Sequence, residues 1–489
     1  MIPQGVNITH PDKLFIGGEW VAATSGRQIE IINPNTEEPV ARVAEASEAD
    51  MDRAVAAARQ AFDHGPWPST PPAERGRKLM AMVDLLEARI PELAAAWTAQ
   101  VGGLASFAPV MHGGAVAGLR GIAAMGESFA WVEQKKGQVV DTAIIAREPV
   151  GVVVGIAPWN APFGIMANKV FYALIAGCPI IMKPSPETPL EAYIIAEAAE
   201  AAGLPAGTVN LVPADRAASD HLIHSKDIDK VSFTGSSAAG MHIASVCGGK
   251  MTRCTMELGG KSAAIIRDDF PIEAAAGILG NTITVMSGQV CAMLSRAIVP
   301  KNRHDELAEA IAGVMKGIRI GNSDDPETQL GPLAMKRQLE RVEMYIEEGR
   351  KSADLVTGGQ RPAHMNKGYF IEPTLFANVD NQSRIAQEEI FGPVLCLIPA
   401  EDEEHAIQLA NESNFGLNGS VFTTDPQAAY DISRRVRTGV MGQNGMRMEF
   451  GMPFGGFKQS GVGREGGEEG LWPYLETKTI LLDGAPARL

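Results

Sequence analysis

The spacing of hydrophobic and polar residues predicts short strands at the start of the chain and helices after them. The segments LFIGGEWV and INPNTEEPVARV are typical of short strands separated by Gly and Asn-Pro turns. A helical pattern covers residues 48–63, and helices dominate to about residue 132. Between Gln138 and Arg147 the segment QVVDTAIIAR predicts a hairpin arm.

Strand and helix patterns alternate after this arm. The run GVVVGIAP is almost purely apolar, as expected for a central parallel strand that is buried on both faces. Three further strand-like runs, PIIMK, GTVNLV and KVSFTG, are separated by helical patterns. Because such alternation is typical of βαβ units, we expect an α/β protein with a parallel sheet.

A second α/β region is predicted after residue 258, where the alternation restarts with SAAIIR, a long helical stretch and RAIVP. We expect the boundary near Gly259 and Gly260. The tail YLETKTILLD is strand-like and could pair with the 138–147 arm or with another subunit. Two domains also agree with the length, because 489 residues exceed what one hydrophobic core usually supports.

Composition and charge exclude several classes of partner. The formal net charge is −15 and no long basic run occurs, so nucleic acid and anionic membrane surfaces are not expected partners. The first residues lack the basic and apolar parts of a secretory signal, and no stretch offers the roughly 18 uninterrupted apolar residues of a membrane span. The five cysteines form no CxxC pair, which favours free thiols. We therefore expect a cytoplasmic protein.

Cys291 differs from the other cysteines in its sequence surroundings. It follows a small, polar interruption, SGQV, after a long helical pattern, where a loop could present the thiol to solvent. The other cysteines lie in apolar runs or beside a Gly-Gly-Lys turn: Cys178, Cys247, Cys254 and Cys396. A buried structural thiol is the ordinary interpretation of any cysteine, and spacing alone does not exclude it for Cys291.

Two segments could contact a nucleotide. GSSAAG at 235–240 follows a strand-like run and opens a helical pattern, as in sites where a helix N-terminus faces a phosphate. It is not GxGxxG, and a plain strand-to-helix connection explains it equally well. Lys183 ends another apolar strand and could reach a ribose or cap the strand in solvent. We expect no metal, because there is no HExxH motif or paired Cys/His cluster, and His221 with His224 fits a solvated helix face.

Seven motifs follow one another along the chain: PWN (158–160), KPSPETP (183–189), FTGSSAAG (233–240), MELGGKS (256–262), SGQVC (287–291), EEIFGPV (388–394) and PFGGFKQSG (453–461). With them the chain resembles the NAD(P)-dependent, non-acylating aldehyde dehydrogenase superfamily from nearly end to end. The resemblance implies oxidation of an aldehyde to its carboxylic acid through a cysteine thiohemiacetal and thioester. It also implies a Rossmann-like nucleotide-binding domain (1–126 and 149–258), a second α/β catalytic domain (259–470) and a small β oligomerisation arm (127–148 and 471–489).

The resemblance assigns the catalytic residues. Cys291 is the nucleophile, Glu257 the general base, and the Asn160 amide with the Cys291 backbone N–H the oxyanion hole. The residue types suit the chemistry, because a thiolate is a strong nucleophile and a tetrahedral oxyanion needs fixed donors. Glu257 can activate the hydrolytic water if burial raises its pKa. Lys169 and Glu465 match positions near the base and the proton path.

The resemblance also implies NAD as the cofactor, with Lys183 at the adenine ribose, Ser236 at the pyrophosphate and Glu389 with Phe391 at the nicotinamide end. The full set of expected cofactor-binding residues is Ile156, Pro158, Trp159, Lys183, Ser185, Glu187, Gly235, Ser236, Leu258, Glu389 and Phe391. Many NAD-specific members have a carboxylate three residues after the lysine, but here Pro186 occupies that position. We therefore expect that NAD is preferred and NADP is accepted.

A hydrophobic aldehyde is the expected substrate, aromatic or aliphatic. By resemblance the substrate tunnel is lined by Phe163, Val290, Ala292, Met446, Met448, Phe450 and Phe454. Burying a carboxylate beside such side chains is costly without a paired cation. Arg447 could supply that cation for a semialdehyde, although Glu449 could equally neutralise it.

A homodimer or homotetramer is expected, since the arm and the tail are strands that need a partner edge. The resemblance places Glu476 in this interface.

The sequence leaves three alternative functions open. A coenzyme A-acylating enzyme is disfavoured by Glu257, because thioester hydrolysis is the step that needs this base. A non-catalytic structural or binding homologue is disfavoured by the presence of Cys291, Glu257 and Asn160 together. An esterase would be distinguished by testing whether turnover depends on the cofactor.

Overall fold

Two large sheets with helices on their faces form most of the chain. The computed structural model describes residues 2–449 and 451–488, and within them the sheets have eight and seven strands, beside a three-stranded and a two-stranded sheet. This agrees with the predicted α/β class, which is confirmed.

The strands, numbered in chain order over the described residues, are β1 (Lys13–Ile16), β2 (Glu19–Ala22), β3 (Gln28–Asn33), β4 (Glu38–Ala44), β5 (Val132–Lys136), β6 (Thr142–Pro149), β7 (Val153–Ile156), β8 (Ile180–Lys183), β9 (Val209–Leu211), β10 (Lys230–Thr234), β11 (Arg253–Glu257), β12 (Ser262–Ile266), β13 (Leu294–Pro300), β14 (Asp354–Thr357), β15 (Thr374–Ala377), β16 (Val394–Ala400), β17 (Gly419–Phe422), β18 (Gly442–Gln443), β19 (Gly461–Val462) and β20 (Leu475–Leu482).

The α-helices of the same residues are α1 (Glu48–Asp63), α2 (Pro72–Ala88), α3 (Ile90–Val101), α4 (Ala108–Ser128), α5 (Pro162–Ala176), α6 (Leu190–Ala201), α7 (Arg216–His224), α8 (Ser237–Lys250), α9 (Ile272–Thr282), α10 (His304–Lys316), α11 (Lys336–Ser352), α12 (Arg384–Gln387), α13 (Glu403–Asn411) and α14 (Pro426–Ser433). Helix α1 coincides with the predicted 48–63 segment. It begins in a capping box, in which the Ser47 and Asp50 side chains each accept a hydrogen bond from the other's backbone N–H. No helix of the described chain is both long and apolar enough to cross a bilayer.

The eight-stranded sheet has the order β19-β11-β10-β7-β8-β9-β1-β2. Its five central strands, from β11 to β9, run parallel, while β1 and β19 join the two sides antiparallel. Strand β7 lies in the middle and all four of its residues are buried, as its apolar sequence predicted. Because parallel strands end at the same edge, the segments that follow β7, β8, β10 and β11 lie side by side.

The seven-stranded sheet has the order β14-β15-β16-β13-β12-β17-β18, and it is parallel except for the antiparallel edge strand β14. The chain passes from β11 in the first sheet to β12 in this one through residues 258–261. Strand β19 departs from the expected order, since it belongs to the 259–470 segment but pairs with β11 of the first sheet. The second region therefore reaches back to the edge where the candidate site residues lie.

The three-stranded sheet has the order β20-β6-β5 and corresponds to the predicted arm. Its hairpin is longer than the 138–147 segment, because β5 lies before Gln138 and residues 137–141 form the turn. The pattern missed β5, whose sequence VEQKK is mostly exposed and shows no apolar face. The tail strand β20 pairs with β6 along eight residues of this same chain, which was one of the two expected pairings.

Candidate active site

Residues from both sheets meet at the carboxyl edge of the eight-stranded sheet. The turns after β7, β8, β10 and β11 supply residues 156–160, 183–187, 235–236 and 257–258. The segments 287–291 and 389–391 come from the second α/β region and pack against them. In open parallel sheets this edge is the usual place for ligands.

A strained turn presents the predicted nucleophile. Met286 and Ser287 have φ angles of +50° and +55° in the short 3-10 helix Val285–Gly288, a conformation that costs non-glycine residues about 1–3 kcal/mol each. The turn packs closely against the second α/β region, because a Cβ on Gly288 would lie only 2.2 Å from the backbone of Gly392. Such strain is tolerated where a functional side chain must be held in one orientation.

The thiol of Cys291 is half-buried and is a weak acid in this environment. Burial, together with the charges of Glu389 and Glu257, raises the pKa of Cys291 to about 12. The backbone N–H groups of Cys291 and Ala292 act in the opposite direction on the sulfur. The thiol is thus largely protonated near neutral pH and needs a nearby base to become a nucleophile.

Asn160 is held against the nucleophile loop. Its side chain is 6% exposed, and its Nδ2 donates a hydrogen bond of 2.8 Å to the backbone oxygen of Gln289, two residues before Cys291. Since an amide nitrogen carries two protons, one N–H remains free to donate to an oxyanion. The geometry therefore suits the predicted role of an uncharged donor.

Glu257 ends strand β11 in an environment that favours the neutral carboxyl group. It is 3% exposed, and neither of its oxygens has a hydrogen-bond partner among the described residues. Burial and the neighbouring charge of Glu465 raise the pKa of Glu257 well above its ordinary value. A carboxylate with a raised pKa and few partners is a strong base when it loses its proton, as a general base must be.

Lys169 and Glu465 form an ion pair beside this base. Lys169 is completely buried, contacts the Glu465 carboxylate and donates a hydrogen bond of 3.2 Å to the Ser232 hydroxyl. Glu465 in turn influences Glu257 through its charge. Glu257, Glu465 and Lys169 thus lie next to one another, and each of them can carry a proton.

Lys183 is buried at the end of β8 with 8% of its surface exposed, so the interpretation as a solvent-exposed strand cap is wrong. Burial lowers the pKa of Lys183 to about 8, although the charges of Glu187 and Asp215 oppose this. An ammonium in this position is available to a polar ligand that enters the edge of the sheet.

Glu187 does not point freely into the site. Its carboxylate contacts the Arg337 guanidinium and accepts a hydrogen bond from the Ser185 hydroxyl. Burial alone would raise the pKa of Glu187, but these two partners outweigh burial and lower it. The carboxylate therefore stays charged and is paired with a cation from α11.

The N-terminus of α8 opens directly after β10. Ser236 is its N-cap, and its side-chain oxygen accepts from the Ala239 N–H. The exposed first turn leaves N–H groups for an anion, which favours a phosphate. Leu258 packs beneath this helix, where a Cβ on Gly240 would lie 2.3 Å from its side chain.

Glu389 and Phe391 lie on the opposite side of the cleft. Glu389 accepts a hydrogen bond of 3.0 Å from the Gly260 N–H, and burial raises its pKa to about 7. Phe391 has a φ angle of +61° and its ring meets the edge of Trp159 at 5.2 Å between centroids. An aromatic wall and a carboxylate thus stand near Cys291.

This set of groups fits a dinucleotide. A buried lysine and a carboxylate suit ribose hydroxyl groups, and the free N–H groups of α8 suit a pyrophosphate between them. The remaining predicted residues, Ile156 and Pro158, belong to the end of β7 and the turn after it, at the same edge.

The residues that the resemblance places in the substrate tunnel are apolar, although not all of them offer surface. Phe163 and Ala292 are 1% and 0% exposed, so they support the wall from behind. Partly or fully exposed apolar side chains are Val290, Met446, Met448 and Phe454. Phe450 lies outside the described residues. Arg447 is exposed and donates a hydrogen bond of 3.2 Å to the Gln443 backbone oxygen, so it is not buried as a fixed cation.

The model of the aldehyde dehydrogenase family matches residues 20–480. The chain belongs to the aldehyde dehydrogenase family. It is 41% identical to geranial dehydrogenase of Castellaniella defragrans over 472 residues, which cover 96% of this chain and 98% of that relative. The sequence-based assignment as an enzyme that oxidises aldehydes is thereby confirmed.

Solved structures of aldehyde dehydrogenases have the same fold. The Mycobacterium tuberculosis enzyme complexed with NAD+ superposes with a TM-score of 0.94 at 42% identity, covering 97% of this chain and 99% of that one. A mutant of aldehyde dehydrogenase C from Pseudomonas syringae, complexed with NAD+ and octanal, has a TM-score of 0.94 at 37% identity and covers 99% of both chains.

Several residues that shape this aldehyde dehydrogenase site were not predicted. Gln289 is 2% exposed and fixes the nucleophile loop, accepting from the Ala334 N–H at 3.0 Å and donating to the Met286 oxygen at 3.1 Å. Arg337 was missed as the partner of Glu187. The contacts of Gln289 with Ala334 and of Arg337 with Glu187 join residues far apart in sequence, so no local pattern signals them.

Two glycines allow the carboxylates to approach the site. A Cβ on Gly455 would lie 2.6 Å from Glu257 Oε1, and one on Gly259 would lie 2.4 Å from Glu389 Oε2. Both glycines belong to the motifs given in the sequence analysis. A glycine within a motif was therefore the signal that could have indicated a close approach of a side chain at these positions.

Proposed function

We propose that this chain oxidises uncharged, hydrophobic aldehydes to carboxylic acids with NAD, through a thioester on Cys291 that water hydrolyses. The observation that carries the proposal is the convergence of a half-buried thiol, a buried unpartnered carboxyl group and a fixed amide donor at one sheet edge. Family membership supports the class of reaction.

Acylation begins with attack of the Cys291 sulfur on the aldehyde carbon. Because its pKa is raised to about 12, the thiol must pass its proton to a base, and Glu257 is close enough for its charge to act on the sulfur. The oxyanion of the resulting thiohemiacetal is held by the free N–H of Asn160 and the backbone N–H of Cys291. Neither donor adds a titrating charge near the thiol.

Bound NAD would supply an acceptor for the hydride of the thiohemiacetal carbon, and loss of that hydride would leave a thioester on Cys291. Lys183 and Ser185 would hold the adenine ribose, Gly235 and Ser236 the pyrophosphate, and Glu389 the nicotinamide ribose. The list of proposed lining residues is completed by Ile156, Pro158, Trp159, Glu187, Leu258 and Phe391. The complexes of two solved relatives with NAD+ support this choice of cofactor.

Hydrolysis of the thioester requires a water molecule activated by Glu257. Its raised pKa makes the carboxylate a stronger base than an ordinary glutamate, and a stronger base takes a proton from water more readily. The Glu465 carboxylate, which Lys169 contacts, lies beside it and can receive that proton in turn. Retention of this base is the reason to expect water, rather than coenzyme A, as the acyl acceptor.

The hydrophobic substrate class rests on the apolar side chains that the resemblance places around the thiol. Among them, Val290, Met446, Met448 and Phe454 offer surface, and the exposed Arg447 offers no desolvated cation for a substrate carboxylate. The octanal complex of one relative and the geranial dehydrogenase activity named for another agree with this choice.

NADP is proposed as a second, weaker cofactor. Pro186 removes the carboxylate expected three residues after Lys183, and Glu187 is neutralised by Arg337. A 2′-phosphate would therefore meet a lysine without an unpaired carboxylate beside it.

We also propose the domain division and assembly that the resemblance implies. The nucleotide-binding domain would comprise 1–126 and 149–258, the catalytic domain 259–470, and the oligomerisation arm 127–148 and 471–489. Strand β20 supports a homodimer or homotetramer, since its apolar side chains Ile480 and Leu481 are 37% and 61% exposed. Five unpaired thiols agree with a reducing cytoplasm.

A substrate panel tests the proposed function. Purified enzyme is assayed with a medium-chain aldehyde, benzaldehyde, a branched terpenoid aldehyde and succinic semialdehyde, each with NAD and NADP, with and without coenzyme A. We expect the highest kcat/KM with an uncharged aldehyde and no need for coenzyme A. A clear preference for the semialdehyde, or turnover only with coenzyme A, would overturn the proposal.

A further inference from the structure

The turn that carries Asn160 does not fix its own position. It leads into helix α5 through the N-cap Ala161, and no side chain of the turn caps the first N–H groups of that helix. A helix end buried in this way needs partners from elsewhere. Two fully buried side chains from other helices hold this helix start, one by donating to the Asn160 backbone oxygen and the other by placing a carboxylate near a first-turn N–H.

The first partner is Trp97 of α3. Its side chain is 0% exposed, and its Nε1–H donates a hydrogen bond of 2.9 Å to the backbone oxygen of Asn160. The ring cannot shift toward Gly103, where even a Cβ would lie 1.9 Å from it. The backbone of Asn160 is thus fixed by a buried ring that has little freedom to move.

The second partner is Glu191 of α6, which is 0% exposed and whose carboxylate lies near the Phe163 backbone N–H in the first turn of α5, since this N–H lowers the pKa of Glu191 against the effect of burial. The same carboxylate accepts from Gln100 Nε2 at 3.2 Å and pairs with His112 Nε2 at 2.7 Å. An anion at the N-terminus of α5 also complements the helix dipole.

His112 keeps this carboxylate in place and balances its charge. Its Nδ1 faces the Ala108 oxygen at 2.7 Å and must carry a proton, while Nε2 shares another with Glu191. Burial would lower the pKa of His112, but Glu191 outweighs it and raises that pKa. The pair is therefore neutral as a whole, and the His112 ring packs against the Phe163 ring at 5.6 Å.

We propose that Trp97 and Glu191 are positioning residues that hold the Asn160 amide at the distance from Cys291 that the oxyanion requires. This rests on the proposed function. A buried ion pair is not needed for stability, because apolar residues of similar volume often stabilise a core equally well or better. The pair lies against the turn beside the nucleophile, and apolar residues could not position this turn by electrostatic interaction with its N–H groups.

The test uses pre-steady-state NADH formation with a medium-chain aldehyde, which follows acylation separately from hydrolysis. Trp97→Phe removes the donor to Asn160, and the double variant His112→Leu with Glu191→Leu removes the α5 cap while keeping an apolar core. We expect the burst rate to fall roughly 10- to 100-fold in each, since small misplacements of an oxyanion donor have effects of this order. Alkylation of Cys291 by iodoacetamide should keep its wild-type rate.

Two matched controls distinguish positioning from general stability. Trp67 is 0% exposed and its Nε1–H donates to the Leu174 oxygen at 3.1 Å, near the other end of α5, so Trp67→Phe deletes the same kind of bond away from the site. Glu197→Gln changes a carboxylate on α6 that pairs with Arg89. Both should keep the wild-type burst rate.

A burst within about twofold of wild type in Trp97→Phe and the double variant would overturn the positioning role. If the double variant does not fold, Trp97→Phe and Glu191→Gln carry the same decision. A wild-type chain that forms no NADH with any aldehyde would instead overturn the proposed function itself.

Discussion

Replacing Glu257 by Gln should separate the two halves of the reaction. The amide keeps the shape of the side chain but cannot accept a proton from water. We expect one burst of NADH per active site, itself slower than in wild type because the thiol also loses the base that takes its proton, followed by steady-state turnover that is at least ~100-fold slower than wild type, within the ~10²–10⁴-fold range for general bases. A large effect within that range is expected because Glu257 is 3% exposed and no described residue forms a hydrogen bond with its carboxyl group and could act as the base in its place.

The same substitution should stabilise the folded chain at alkaline pH. Burial and the charge of Glu465 raise the pKa of Glu257 in the folded state, so the folded chain binds more protons than the unfolded chain between the two pKa values. Stability contributed by the protonated form is present below the unfolded pKa and is lost as pH rises through the raised folded pKa. Glutamine has no charge to bury, so the Glu257→Gln variant should have the higher Tm at pH 8, and the difference should disappear in acid.

Stopped-flow NADH fluorescence and thermal melts at pH 5 and pH 8 measure both effects. Glu401→Gln serves as the control, because Glu401 is exposed and pairs only with Lys301 at the surface. A steady-state rate equal to wild type would show that another group activates the water. A lower Tm than wild type at pH 8 would refute the account of the buried carboxyl group.

Three further predictions concern the thiol, the cofactor and the assembly. Cys291→Ala should abolish aldehyde oxidation but retain NAD binding in a fluorescence titration, whereas Cys396→Ala should remain active; turnover by the first variant would contradict the covalent mechanism. Burial lowers the pKa of Lys183 to about 8, so KM for NADP should rise above that pH as the ammonium loses its proton, and Lys183→Arg should remove this dependence. A flat wild-type profile between pH 7 and pH 9 would exclude contact between Lys183 and the 2′-phosphate. Light scattering should give the mass of a dimer or tetramer, and deletion of residues 475–489 should reduce it; a wild-type monomer at micromolar concentration would contradict the role of the arm.

Local patterns were sufficient to predict the α/β class and most strands. The apolar runs of β7, β8 and β10 and the helix α1 were recognisable because burial on one or both faces imposes a period on the sequence. The resemblance that the motifs carry then assigned roles to Cys291, Glu257 and Asn160, which local composition alone had left open. Strand β5 was missed because it has no buried face to produce such a period.

The sequence by itself therefore determined the family, the class of reaction and the order of the elements. Only the tertiary structure decided that Lys183 is buried, that Glu187 is paired with Arg337, and that the tail pairs with the arm of its own chain. It also decided which groups surround Glu257 and raise its pKa. Burial and electrostatic partners depend on side chains that are distant along the chain and meet only after packing, so a local pattern does not carry them.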